Sequence, residues 1–383
     1  MIQSSPIFYF DPPITSGGIP LKEIICLANE PWSQTPERTQ QLLSRIRDVN
    51  ILYFVPPHAS HDLSWKKSGR KVKPNIIVYA LPPNLISEVF FPSIYPLGEK
   101  RLGRFIAQKA RKHHFRAPLL WLTCPKQLHL LNELSYRSLV YDRCQEWDDL
   151  PAAWEERLAQ QADVVFTVSP QLKEQLAPFS SNIAIVPNGV NFPLFSGQNN
   201  TKVHPRVVGL SDPVLGWSGT IYEDLDLSPL LYAAQTCPRW TFLLIGSKSE
   251  HNPWLSRLSR CENVVLIPPC SLMEVPEYLS KCSVLLNFLR TSQSCDDVIP
   301  RRIYEYLSTG KPVVSMLWPD QVEYFPDVIY GANSPEEFVH LCAQALEEDP
   351  RWLSQRRRNH GAAASWTNRA AEVSRILSVS GLL

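Results

Sequence analysis

The sequence lacks any stretch that reads as a membrane span or a secretory leader. No apolar run reaches the roughly 18 residues needed to cross a bilayer. Residues 1–22 hold Pro6, Pro12, Pro13 and Pro20 but no basic segment followed by an apolar one. The expectation is a cytoplasmic protein, or one peripheral on the inner face of a membrane. Nine cysteines, an odd number without a C-x-x-C pair, argue against a disulfide framework and a zinc site. H-x-H and H-E-x-x-H patterns are missing too, so neither a metal nor another cofactor is expected. There is no short-period repeat and no low-complexity tract.

What is present is a globular chain of two-domain length. Its 383 residues exceed one ordinary core, and 44% hydrophobic against 20% charged residues is the balance of a folded protein. The net charge of +1 conceals two basic clusters, one at Lys66, Lys67, Arg70, Lys71 and Lys73, the other from Lys100 to Arg116. Basic residues are not interleaved with stacking aromatics, which argues against nucleic acid as a partner.

Short apolar runs separated by helical stretches are the pattern of parallel strands buried on both faces. Seven occur in the first half, at residues 23–29, 50–55, 75–80, 118–123, 138–142, 163–168 and 182–187. Segments such as Pro36 to Arg47 and Leu150 to Gln161 carry the helical spacing of crossovers. A polar stretch follows, and strand signals resume at 213–219, 240–246, 263–267, 283–288 and 312–317. The expected fold is α/β, with two Rossmann-like doubly wound domains facing a cleft. Its expected parts are an N-terminal extension (1–22), a first domain (23–196), a linker (197–212), a second domain (213–362) and a C-terminal helix (363–383) that packs back on the first domain.

The most informative stretch is DDVIPRRIYEYLSTGKPVV, residues 296–314. Pro300 suits a first helical turn, Gly310 a left-handed position past the helix end, and Pro312 stops continuation, so a helix from Pro300 to Thr309 is expected. In an open α/β sheet, ligands sit at the carboxyl ends of strands, where helix N-termini present unpaired N–H groups. Arg301 and Arg302 would add positive charge suited to a diphosphate, Glu305 could accept hydrogen bonds from a ribose, and Asp297 would reach a transferred sugar. Equally, Pro300, Gly310 and Pro312 could merely bound a helix while Asp297, Arg301 and Glu305 form surface ion pairs.

Asp297-x7-Glu305 followed by YLSTGKPVV resembles the Glu-x7-Glu block of retaining glycosyltransferases of the GT-B type, the glycosyltransferase group 1 or family 4-like enzymes, in their bacterial polysaccharide branch. Residues 162–195 and 214–247 resemble the same family in the same order. The resemblance implies a hexosyltransferase-type enzyme that moves a sugar from a UDP- or GDP-linked co-substrate to a saccharide or lipid-linked acceptor. Retention of configuration and independence of metal are also implied. Glu305 would bind the nucleotide ribose and Asp297, aspartate in place of the usual glutamate, the donor sugar, with Asp296 as the alternative occupant.

Gly216 and Gly219 at a strand end would let backbone N–H groups approach phosphate, with Thr220 beside them, or would simply make a tight turn. Relatives often place an Arg and a Lys shortly after this glycine, but here Thr220, Tyr222, Glu223 and Asp224 follow, so Arg290, Arg301 or Arg302 must supply the charge. On the acceptor side the candidates are Trp32 and Arg38, with a core lid and a solvated helix residue as the alternatives. Asp142 resembles part of a YDxxD segment, and either orients donor or acceptor hydroxyls or caps the next turn. Asp224 and Asp226 read as a cap rather than a metal site. The basic helix 98–114 suggests contact with an anionic membrane, or an ordinary surface helix. Two other readings of the whole chain are a catalytically silent homologue in a polysaccharide-assembly complex and a nucleotide-sugar epimerase.

Overall fold

The computed structural model describes residues 22–33, 35–57, 68–83, 93–147, 149–197, 202–290, 297–316, 324–325 and 327–383, without the side chains of Pro96 and Pro350. The first sheet contains β1 (Lys22–Leu27), β2 (Val49–Val55), β3 (Arg70–Lys73), β4 (Ile76–Ala80), β5 (Leu119–Leu122), β6 (Ser138–Arg143), β7 (Val164–Thr167) and β8 (Ile183–Ile185). Its order is β3-β4-β2-β1-β5-β6-β7-β8. All neighbours are parallel except β3 and β4. The apolar runs become the parallel strands, while β3 comes from the first basic cluster. Its sequence, RKVK, has no apolar run to announce it, because an exposed edge strand is held by one neighbour's backbone and buries little.

The second sheet contains β9 (Val214–Ser218), β10 (Thr241–Ile245), β11 (Val264–Ile267), β12 (Val284–Asn287), β13 (Val313–Met316) and β14 (Tyr330–Ala332), in the order β11-β10-β9-β12-β13-β14 and parallel throughout. The chain therefore has two parallel-sheet Rossmann-like units. The three-residue edge β14 is too short to leave a periodic signal in the sequence.

Helices α1 (Arg38–Leu43), α2 (Tyr95–Lys112), α3 (Ala152–Gln161) and α4 (Pro170–Leu176) flank the first sheet, and a 3-10 helix spans Pro125–Glu133. After α5 (Phe192–Phe195) come α6 (Ser228–Thr236), α7 (Leu255–Leu258), α8 (Val275–Lys281), α9 (Arg301–Thr309), α10 (Pro335–Glu347), α11 (Pro350–Ala363) and α12 (Trp366–Val379). Helix α9 starts after Pro300 and ends where Gly310 takes φ 81°, a left-handed position that only glycine adopts without cost.

Each sheet has an apolar core on both faces. Helix α12 leaves the second unit and buries Trp366, Ala370, Val373 and Leu377 against Ile24, Cys26, Leu42 and Tyr53 of the first. The chain thus crosses between the units twice, at adjacent places. Val190 N–H donates to Ala364 O at 3.0 Å, and Trp366 N–H donates to Val190 O at 3.0 Å. A Cβ on Gly189 would lie 2.8 Å from the Trp366 ring, so the two crossings touch only because residue 189 has no side chain.

Candidate functional site

Between the two sheets lies a cavity of about 580 Å³, within the ~300–1,000 Å³ of small-molecule sites. Its walls come from the carboxyl ends of three strands: Ser218, Gly219 and Thr220 after β9, Gly246 and Ser247 after β10, and Pro269 and Cys270 after β11. Leu272 and Val275 continue the β11 wall, and Pro300, Arg301, Arg302 and Glu305 of α9 close a third side. Thr35 and Glu37, just before α1 of the first unit, complete it.

The strand ends meet closely. A Cβ on Gly246, at φ 137°, would overlap the Gly219 carbonyl. At Gly219 a Cβ would stand 3.1 Å from the Arg302 guanidinium, so the missing side chain lets Arg302 lie across the end of β9. Arg302 stacks on Trp217 at 4.8 Å, and its Nη1 is buried with no hydrogen-bond partner. A buried cationic donor without an acceptor is costly unless an anion meets it, which suits a phosphate. The N–H groups of the first turn of α9 add their dipole on the same side.

Helix α9 is tied to β9 by Ser218 N–H, which donates to Tyr306 Oη at 2.8 Å. That fixes the preceding residue, Glu305, toward the cavity. Burial pushes the Glu305 carboxyl above its ordinary value, Arg301 and Arg302 oppose the shift, and Glu37 reinforces it. None of the hydrogen bonds among the described residues engages the Glu305 side chain. Arg301 lines the cavity as well, but its Nη1 donates to Glu37 Oε2 at 2.6 Å, an ion pair between the two units.

Other expected residues lie elsewhere. Asp297 is not on the cavity wall. Its Oδ2 accepts from Gln171 N–H of α4 at 2.7 Å, and its Oδ1 is buried without a partner; Asp296, the alternative occupant, lies outside the described residues. Arg290 is also behind the wall, held by Asp224 at 2.9 Å and stacked on Tyr222 at 4.4 Å, so it supports the Tyr222 lining instead of facing the interior. Gly216 sits inside β9, where a Cβ would overlap Cys282 Sγ, and so is a packing glycine. The N–H of Gly219 already donates to Ile245 O at 2.9 Å and is unavailable to phosphate. Thr220 does reach the cavity, where its hydroxyl accepts from Ser247 Oγ at 2.9 Å.

In the first unit, Asp142 is 0% exposed and pairs with Arg38 Nε at 3.0 Å. Arg38, only 4% exposed, also donates from Nη1 to Pro187 O at 3.2 Å. Burial raises the Asp142 carboxyl while Arg38 opposes that shift. Both side chains are enclosed within the first unit, and Arg38 is no solvated helix residue. Trp32 packs edge-on against Tyr53 at 5.0 Å, as a lid on the core at the ends of β1 and β2. Asp226 accepts from Ser228 N–H at 2.8 Å as a cap, and Asp224 is taken by Arg290.

Residues 228–375 match the family model described as Glycosyl transferase-like. The putative teichuronic acid biosynthesis glycosyltransferase TuaH of Bacillus subtilis (strain 168) is 26% identical over 272 residues, covering 64% of this chain and 68% of that protein. The chain has the GT-B fold, and its second unit is glycosyl transferase-like. Among solved structures, the chain resembles sucrose-phosphate synthase from Thermosynechococcus elongatus with a TM-score of 0.70 at 13% identity, over 94% of this chain and 98% of that one. It also resembles Anabaena HepE in complex with UDP-glucose, with a TM-score of 0.65 at 16% identity, over 93% and 99% of the two chains. In this GT-B fold the cavity lies between the two sheets.

Thr35, Glu37, Tyr222, Ser247 and the Pro269–Val275 wall were not singled out from the sequence. The only signal for them was position, since each follows the carboxyl end of a strand.

Proposed function

We propose that the enzyme transfers a hexose from a uridine-diphosphate sugar to a saccharide or lipid-linked acceptor, with retention at the anomeric carbon and without a metal. The observation that carries this reading is the cavity itself, where a free guanidinium N–H of Arg302, the first turn of α9 and the Glu305 carboxylate converge. Strands β9 and β11 are two strand spacings apart, roughly 10 Å, about the reach from a diphosphate to a base. In the proposed pose the base lies against Pro269, Cys270, Leu272 and Val275, the ribose hydroxyls donate to Glu305, and the diphosphate lies under Arg302. UDP as the nucleotide is supported by HepE, which is described in complex with UDP-glucose. Polysaccharide synthesis as the setting is supported by TuaH, described as a teichuronic acid biosynthesis enzyme.

The acceptor oxygen bonds to the anomeric carbon, the bond to the diphosphate oxygen breaks, and the proton passes to the departing phosphate. Arg302 and the α9 dipole stabilise the charge on the leaving group, an electrostatic role of the oxyanion-hole kind that needs no metal. Calorimetric titration with UDP and UDP-glucose in EDTA tests this. The parent is expected to bind in the micromolar range, and Glu305→Ala to lose about 10–100-fold, the effect of about 1.5–3 kcal/mol for hydrogen bonds to a charged group. A folded parent that binds neither ligand would replace this reading with a silent partner in an assembly complex.

A peripheral membrane role is proposed for α2. Its exposed residues include Lys100, Arg101, Arg104, Arg111 and Lys112, with Leu97 66% exposed and the preceding Ile94 47% exposed. Among the described residues, no helix is long and apolar enough to cross a membrane. Co-sedimentation with phosphatidylglycerol vesicles at low salt, lost at high salt or in Arg101→Glu/Arg104→Glu, is the expected behaviour.

A further inference from the structure

We infer that Glu37, a residue of the first unit, is the carboxylate that reads the hydroxyls of the donor sugar, in the place that the sequence pattern offers to Asp297. The inference rests on the donor reading above. Among the described residues two carboxylates compete for the role, and their surroundings separate them.

Asp297 is spent. Its Oδ2 accepts the Gln171 N–H at 2.7 Å, Oδ1 is buried, and the next residue, Val298, packs against Val168 and Leu172. To face the cavity it would have to abandon a hydrogen bond and an apolar contact together. Glu37 is already on the cavity wall. It precedes α1 as the N-cap residue, yet its side chain makes no capping bond. Instead Arg301 Nη1 holds Oε2 at 2.6 Å, which leaves Oε1 with no hydrogen bond among the described residues. Glu37 lies on the α9 side of the cavity, close enough to Glu305 to raise its pKa, whereas the proposed base wall lies beyond β10. A carboxylate oxygen on a fixed stem accepts one or two sugar hydroxyls. Arg301 is then a positioning residue, neutralising Glu37 beside a diphosphate that would otherwise repel it.

The readout is the ratio of the UDP and UDP-glucose dissociation constants, measured by calorimetry for the parent, Glu37→Gln, Asp297→Asn and Arg301→Gln. UDP contains everything but the sugar, so a role in holding the domains or the nucleotide moves both constants together. The expected result is a parent that prefers UDP-glucose. Glu37→Gln should cut that preference about 3–10-fold, the difference between a charge-assisted and a neutral hydrogen bond, with UDP affinity kept within about twofold. Arg301→Gln, which keeps the carboxylate but not its position, should reduce the preference as well, and Asp297→Asn should leave it. An unchanged ratio in Glu37→Gln, a ratio that collapses in Asp297→Asn, or a parent with no preference overturns the inference while UDP binding keeps the donor reading. Failure of UDP itself to bind is the distinct failure of the donor reading.

Discussion

At the scale of single residues, the first unit hides its charge. Asp142 and Arg38 form a fully enclosed pair, and removing one partner leaves the other charged and dry. Asp142→Ala is therefore expected to destabilise the first unit by about 3–5 kcal/mol, read as a lower Tm by calorimetry. His113 offers a test by pH. Burial, helped by Lys112, Lys109 and His114, lowers its imidazole from 6.5 to about 4, and Tyr79 Oη lies 2.8 Å from its Nε2. The folded form favours neutral imidazole, so the unfolded chain binds more protons between those values. Stability should fall as pH drops from 6.5 toward 4, and His113→Gln should flatten that part of the melting-temperature profile. Glu305 and Arg302 were legible in the sequence because Pro300 and Gly310 bound the helix that carries them. Asp297 was not, since spacing along one helix says nothing of Gln171, 126 positions away, which takes its carboxylate.

At the scale of elements, the parallel strands were legible because burial on both faces demands unbroken apolar runs. Strands β3 and β14 were not: each is a short edge whose backbone bonds hold it without a hydrophobic signature. Helix α12 shows the opposite case. Its apolar face, with Trp366, Val373, Ile376 and Leu377, could be read from spacing alone, and that face packs on the core of the first unit. Leu377 is fully buried there, so Leu377→Ala should cost about 2–5 kcal/mol and lower the melting of the first unit, although residue 377 follows the second unit in sequence.

At the scale of the molecule, few groups among the described residues hold the cleft. Among the described residues, segment 297–301 meets the first unit through Asp297, Val298, Ile299 and Arg301, and the chain itself passes across at residues 188–190 and 364–366. Gly189→Val would press a side chain into the Trp366 ring and the Ala364 carbonyl. The expected result is a lower Tm and slower turnover with UDP affinity within about twofold, because transfer needs both halves while the nucleotide needs mainly one. Two linkers set far apart would brace the halves rigidly, and one alone would let them tumble. Here the two passages lie side by side, bonded through Val190, and act as a single pin. A door on one pin can follow only one arc, and any swing about this one is expected to bring Glu37 back to Arg301.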